Sequence, residues 1–420
     1  MESSTFKGLL GLVVLSLLVT GCADDTDGSE GKGDRPVISV DKVTALVDEP
    51  VRVRVSGLRA GEKVTVTSEA EDSADATWTG RATFTADRTG TVDLSRARPT
   101  SGTYRKADRW GLFWSMEPPA GDPDEDSFYP TRDPESERAY TLRLTARAEG
   151  RPAARKELTR RLMDEGVTVQ AIKPARDKVT GRLYLPPAGM PRRAPVLAFG
   201  GSEGGLSMGG DAALLASRGH ATLALCYFRC GDGPDSLNDI PMEYFATAAR
   251  VLGRKSGDGH ERMAVLGISR GSESAQHLAQ NHPELIRDAV VYGPADQYYM
   301  GFPHHERHAW TVKGKPVKPG PIPLDRVRGR VLAIAGGEDT LWKSAPMAES
   351  IADRSGKSGR HRALIYPEAG HAAISFPSFP TGTVVFHQVG DVTLPLGGSR
   401  AADAQARADS WPRVLEFIGR

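Results

Sequence analysis

Two hydrophobic patterns divide the chain. Between Pro36 and about Val169 apolar and polar positions alternate. Val51, Val53 and Val55 alternate with Arg52 and Arg54, Val64 and Val66 with Thr65 and Thr67, and Tyr140, Leu142, Leu144 and Ala146 with Thr141, Arg143 and Thr145. A period of two puts one face of a strand in a core and the other in water. Gly57, Gly61, Gly90 and Gly102 punctuate these runs. Short alternating strands at such spacing predict an antiparallel, immunoglobulin-like β-sandwich over residues 36–170. Trp110, Phe113 and Trp114 cluster around Gly111. They read as packing area facing the next domain.

After Gly181 the apolar runs become continuous: Val196–Phe199, Leu223–Leu225, Ala264–Leu266, Ala289–Val291 and Val331–Ile334. Helix-like segments lie between or after them, at Asp211–Arg218, Pro241–Leu252, Ser272–Gln280 and Ser344–Arg354, and Pro412–Ile418 reads as a closing helix. Strands that are apolar on both faces and alternate with helices predict a mainly parallel sheet covered on both sides, the α/β-hydrolase type of architecture, over residues 171–420.

The start of the chain has a different character. Lys7 precedes the apolar run Gly8–Val19, which closes on Val19-Thr20-Gly21-Cys22. Twelve residues are too few to span a bilayer and fit the apolar region of a signal peptide. The tetrapeptide resembles a bacterial lipobox. Residues 1–21 are therefore expected to be a lipoprotein signal peptide, Cys22 the lipidated mature N-terminus, and 22–35 a flexible tether. That would make the protein extracytoplasmic and lipid-anchored to the bacterial cell membrane.

Charge and cysteine content narrow the classes further. With 420 residues, 54 Lys+Arg, 53 Asp+Glu and a formal net charge of +1, the chain lacks the basic excess of a nucleic-acid binder. Three cysteines cannot build a disulfide framework. Cys226 and Cys230 are too far apart for a bridge if both lie on an extended strand. A turn between them would allow one, and otherwise they are small packing residues.

The sharpest chemical signal is Gly267-Ile268-Ser269-Arg270-Gly271, between the apolar run Ala264–Leu266 and the helical stretch Ser272–Gln280. Strand, G-x-S-x-G, helix is the arrangement of a nucleophile elbow. Its tight turn lifts the serine to the C-terminal edge of the sheet, where a helix N-terminus favours developing negative charge. Such a serine needs a base, and the base an orienting acid, in the chain order Ser, acid, His. Gly336-Gly337-Glu338-Asp339 supplies Asp339, with adjacent Glu338 as its competitor, and Tyr366-Pro367-Glu368-Ala369-Gly370-His371 supplies His371. Phe199-Gly200-Gly201-Ser202-Glu203-Gly204-Gly205 reads as an oxyanion loop. A backbone N–H of Gly201 or Ser202 would join that of Arg270. The loop lacks the G-x-G-x-x-G spacing of a dinucleotide-binding turn. His304, His305, Glu306 and His308 have partial metal-site spacing, but Pro303 and the lack of a second ligand pair favour a surface or lid loop. No metal or cofactor is expected.

Longer pieces carry a family resemblance. In the first half they are Leu46-Val47-Asp48-Glu49-Pro50-Val51, Val92-Asp93-Leu94 and Gly111-Leu112-Phe113-Trp114-Ser115-Met116. In the second they are Leu183-Tyr184-Leu185-Pro186-Pro187, Ile240-Pro241-Met242-Glu243-Tyr244-Phe245 and Asp339-Thr340-Leu341-Trp342-Lys343-Ser344. Together these resemble the acyl-CoA thioesterase and bile-acid-CoA:amino-acid N-acyltransferase family. The resemblance implies a nucleophile at Ser269, its acid at Asp339 and its base at His371. It also implies hydrolysis, because the amino-acid-conjugating members use Cys where this chain has Ser. The expected activity is a serine hydrolase cleaving acyl thioesters through an acyl-enzyme. The alternatives are acyl transfer to an amino acid or other amine, a carboxylesterase on extracytoplasmic esters, and a non-catalytic envelope binding protein. The expected partner is a small-molecule acyl thioester or ester. Nucleic acid is not expected, membrane contact is through the N-terminal lipid alone, and the sequence does not set the oligomeric state.

Overall fold

The alternating runs of the first half form two facing sheets. The computed structural model describes residues 35–131, 135–257 and 262–419. The expected signal peptide, Cys22 and all of the tether but its last residue lie outside the described residues. One sheet joins Val37–Val40, Val53–Ser56 and Val92–Asp93. The other runs in the order Thr44–Leu46, Ala154–Arg161, Ala139–Ala148, Lys63–Glu71, Thr77–Thr85, Ser101–Gly102. Pairing is antiparallel except between Thr44–Leu46 and Ala154–Arg161, which run parallel. Val64, Val66, Leu142, Leu144 and Ala146 meet Val53, Val55 and Val92 of the facing sheet in one buried cluster, as the period of two requires. The aromatic cluster becomes a buried helical turn, Gly111–Trp114. Trp114 donates its ring N–H to Asp108 at 2.7 Å, and the Arg160 guanidinium lies 5.1 Å over the Phe113 ring.

The second half is built on an eight-stranded sheet. Its strands are β1 (Thr168–Ile172), β2 (Thr180–Leu185), β3 (Arg193–Phe199), β4 (His220–Cys226), β5 (Met263–Ile268), β6 (Ile286–Tyr292), β7 (Val331–Gly336) and β8 (Arg362–Tyr366). Their spatial order is 1-2-4-3-5-6-7-8. β2 is antiparallel to both neighbours, and every other pair is parallel. The boundary expected at 170/171 falls inside β1, so this sheet begins at Thr168.

Each apolar strand feeds two cores, because successive side chains leave opposite faces. Val196, Ala198, Leu266, Val290 and Ile334 pack with α1 (Gly209–Ala216) and the last helix. Leu197, Phe199, Val265, Val291 and Ala333 pack against α2 (Met242–Ser256), α3 (Gly271–Asn281) and α4 (Ser344–Asp353). The last helix, α5, runs from Arg400 to Gly419 with Pro412 inside it. It is longer than the expected Pro412–Ile418. A proline disfavours helix interiors, but Ala401, Ala402, Ala404, Ala406 and Ala408 before it are strong helix formers, and Ala404, Trp411, Val414 and Ile418 are buried.

A buried carboxylate helps to tie the two halves. Asp48 accepts from the Arg218 guanidinium at 2.8 Å and from the Trp411 ring N–H at 2.6 Å, with its side chain fully buried. Burial pushes its pKa up while Arg218 and Trp411 oppose that rise. Removing the acid would strand a guanidinium and an indole N–H. Asp48→Ala is therefore expected to cost about 3 kcal/mol of stability. Asp48→Asn, which keeps an oxygen for Trp411, should cost less. Urea unfolding of both variants checks the ranking.

Candidate active site

Ser269 stands where β5 ends and α3 begins, at φ +52°. A non-glycine residue in this region is strained, at a cost of order 1–3 kcal/mol that neighbouring packing must hold. The Ser269 N–H donates to the Tyr292 carbonyl on β6 at 2.8 Å. The flanking glycines are required by space: a Cβ on Gly271 would lie 2.2 Å from the Gly200 carbonyl oxygen, and one on Gly267 would lie 2.5 Å from that of Gly271. Arg270 caps α3, and its side chain pairs with the wholly buried Glu273 one turn on. Arg270 also donates to the Met300 carbonyl at 2.8 Å. Glu273 takes the Trp310 ring N–H at 2.7 Å and the Tyr299 N–H at 3.0 Å. Burial raises the Glu273 pKa, and Arg270 opposes the rise. This ion pair straps the segment 299–310 onto the serine-bearing helix.

His371 follows β8, and Asp339 follows β7. Asp339 Oδ2 lies 2.7 Å from His371 Nδ1, with both side chains buried. Its other oxygen accepts the Leu341 N–H at 3.0 Å. Glu338, the competitor, is exposed, and its N–H donates to Ala369. The Trp342 ring meets the His371 ring edge to face at 5.9 Å and donates its N–H to the Gly293 carbonyl at 3.1 Å. Gly293 directly follows the residue that holds the Ser269 N–H. A Cβ there would lie 2.8 Å from His371 Cε1. The imidazole thus occupies the space beside the elbow that the missing side chain leaves.

The expected oxyanion loop lies against the elbow: a Cβ on Gly201 would come 2.8 Å from that of Ser269. One detail differs from expectation. The Gly201 N–H is engaged by both carboxylate oxygens of Glu203, at 2.9 and 3.0 Å, because the side chain folds back over two residues. Gly201 therefore does not offer its N–H to a ligand in this arrangement, and Ser202 and Arg270 are left as the candidate donors. Buried Tyr227 fixes the loop by donating to the Gly201 carbonyl at 2.6 Å, with Gly200 at 3.0 Å. A disulfide joins Cys226 to Cys230 across Tyr227, their Cα atoms 6.2 Å apart. The chain turns after β4, so the extended geometry that would forbid the bridge does not apply.

Sequence reasoning missed a hairpin that spans the site. Val384–His387 pairs with Val392–Pro395. At its base the Leu396 carbonyl accepts the His371 N–H at 2.8 Å, and at its tip His387 Nε2 lies 3.0 Å from Ser202 Oγ. Burial lowers the His387 pKa. His387 had no local signal, since only the long-range pairing brings it to Ser202. His304 and His305 are exposed. Among the described residues no group of three or more His, Cys, Asp or Glu side chains comes together as a metal site.

A sheet in this order, a serine at a strained strand–helix turn and a buried acid–histidine pair define an α/β-hydrolase-type enzyme. The chain belongs to the acyl-CoA thioester hydrolase/BAAT family: residues 48–174 match the N-terminal region of that family and residues 296–420 its C-terminal region. It is 28% identical to the peroxisomal succinyl-coenzyme A thioesterase of Mus musculus, over 89% of this chain and 93% of the relative. It is 29% identical to acyl-coenzyme A thioesterase 1 of Homo sapiens, over 88% and 93%. Acyl-coenzyme A amino acid N-acyltransferase 2 of Rattus norvegicus is 28% identical, over 89% and 95%.

The close approach at Gly293 gives a test of the site's geometry. Gly293→Ala would place a methyl at 2.8 Å from the imidazole at φ +48°, and a shift of about 1 Å in a reacting group costs on the order of 100-fold in rate. A loss of that size in kcat/KM on an acyl thioester is expected, with the far-ultraviolet circular dichroism of the wild type retained.

Proposed function

We propose that this protein is a serine hydrolase that cleaves acyl thioesters, with Ser269 as nucleophile, His371 as base and Asp339 as its orienting acid. The 2.7 Å contact of Asp339 with His371, beside a serine held at φ +52°, carries the reading. Ser269 Oγ attacks the acyl carbonyl while His371 takes its proton. His371 then hands that proton to the departing thiolate. Asp339 accepts from Nδ1, fixes the tautomer and stabilises the imidazolium. The N–H groups of Ser202 and Arg270 hold the oxyanion, the latter at the positive end of α3. Water resolves the ester on Ser269. The curated relatives point to acyl-CoA thioesters as the first substrates to test, with simple carboxylic esters second.

Hydrolysis is favoured over transfer by the nucleophile itself, since an ester on Ser is a poorer acyl donor to amines than a thioester on Cys. The reading also includes an immunoglobulin-like character for the N-terminal domain and an extracytoplasmic, lipid-anchored protein, the latter from Val19-Thr20-Gly21-Cys22. Cys22→Ser should release the protein from the membrane fraction, and mature protein retaining Met1 in the cytosol would refute the anchor.

Ser269→Ala and His371→Ala should each lower kcat by roughly three orders of magnitude or more, about 4 kcal/mol, and the double variant should lose no more than either alone. Asp339→Asn should be severe and Glu338→Gln mild. A fluorophosphonate should label wild-type Ser269, which separates an enzyme from a non-catalytic binder. With a medium-chain acyl-CoA and millimolar glycine or taurine, mass spectrometry should show free acid from the wild type. N-acyl amino acid should rise only in Ser269→Cys. Mainly conjugate from the wild type would replace the hydrolase reading with a transferase.

A further inference from the structure

We propose that Asp403, on α5, is a positioning residue for His371, holding the peptide that precedes it and setting a second negative charge behind the imidazole. The proposal rests on the reading of Ser269, His371 and Asp339 as the reacting set. Asp403 is wholly buried. Its Oδ1 accepts the Gly370 N–H at 2.7 Å, and Gly370 is the residue before His371. Its Oδ2 has no hydrogen-bond partner among the described residues. A buried carboxylate normally secures a cation, and Arg407 lies one helical turn along α5. Arg407 instead donates to Thr381 Oγ1 at 2.5 Å and to the Phe379 carbonyl at 3.2 Å. The Asp403 carboxylate thus makes its side-chain hydrogen bond, among the described residues, to the histidine loop, while Arg407 attracts it without a hydrogen bond.

The charged and titratable groups around it are Arg407 and Arg400 on α5, His371 on its loop, Asp339 on the loop after β7, and Tyr366 at the end of β8, whose hydroxyl donates to Asp409. Burial pushes the Asp403 carboxyl up to about 6. The Gly370 hydrogen bond, Arg407 and His371 work against that rise, and Asp339 adds to it. The group therefore ionises in the range where a histidine base must lose its proton. An ionised Asp403 favours the imidazolium. Its removal withdraws a charge that would stabilise an imidazolium at His371. The effect on stability has a defined sign. A carboxyl raised from 3.8 to about 6 contributes stability that is fully present below pH 4 and is lost as pH rises through 6.

The test uses the full chain and the rate at which a fluorophosphonate labels Ser269 between pH 4 and 9. Asp403→Asn keeps an oxygen for the Gly370 N–H and removes the charge. Its acidic limb should move to lower pH than that of the wild type, and its Tm should fall less between pH 4 and 7 than the wild type's. Asp403→Leu removes the acceptor and should slow labelling by about 10-fold or more at every pH. An unchanged acidic limb in Asp403→Asn, or wild-type labelling in Asp403→Leu, overturns the proposal. Absence of labelling at wild-type Ser269 at all pH values instead overturns the hydrolase reading, and this inference with it.

Discussion

Three loops cross beside the imidazole with glycines at their closest approaches, and the site depends on that crossing. A Cβ on Gly370 would lie 2.1 Å from the Gly397 carbonyl oxygen. One on Gly397 would lie 1.9 Å from that of Glu338, and one on Gly398 would lie 2.2 Å from the Gly370 nitrogen. No other residue type fits these distances without moving backbone. The loop after β7, the loop after β8 and the approach to α5 are therefore fastened main chain to main chain, with Asp339 bridged to Gly397. The Asp339–His371 contact is a consequence of this backbone packing. Side chains far apart in sequence meet because glycines let their loops close.

The same economy holds the serine. Its left-handed backbone is tolerable because the Ser269 N–H is paired to β6, and because Gly271 lets α3 begin against the Gly200 carbonyl. Around this centre the protein places buried charges in pairs that join separate segments of the chain. Arg270 with Glu273 holds the segment 299–310, and Asp48 with Arg218 and Trp411 holds the N-terminal domain. A buried charge is costly unless satisfied. Losing one partner of either pair would therefore leave an unsatisfied buried group.

The parts of this fold that were readable in the sequence are those with a local cause. Five apolar runs ending in turn residues marked the central strands, and G-x-S-x-G between a strand and a helix marked the elbow. The acid at 339 could not be separated from its neighbour at 338 by spacing alone. The choice depends on which residue the Gly397 bridge turns inward, a fact about residues more than fifty positions apart. β1 and the hairpin at 384–395 were illegible for a similar reason. Their strands are short, and only pairing with distant partners defines them. α5 extends twelve residues ahead of the expected start at Pro412, where alanines favour helix over residues whose packing against the sheet is a long-range fact. The Glu203 carboxylate over Gly201 left no sequence trace, since a glycine-rich loop looks the same with or without that contact.

Charge separation explains why the proposed reaction would run in one orientation. As the serine adds to an acyl carbonyl, negative charge grows on the carbonyl oxygen and positive charge on the imidazole. On the oxygen's side stand the positive end of α3 and the Ser202 peptide. On the imidazole's side stand Asp339, in direct contact, and Asp403, one peptide removed. Peptide and helix dipoles thus face the forming oxyanion, with the Glu203 carboxylate held on the Gly201 N–H beside them, and negative potential faces the forming imidazolium. Both are supplied by groups already fixed by packing, so little reorganisation accompanies the transfer. Reversing the two sets would oppose the charges that develop. In the proposed reaction the orientation of the reacting bond would therefore be biased by electrostatics before any contact with the acyl chain.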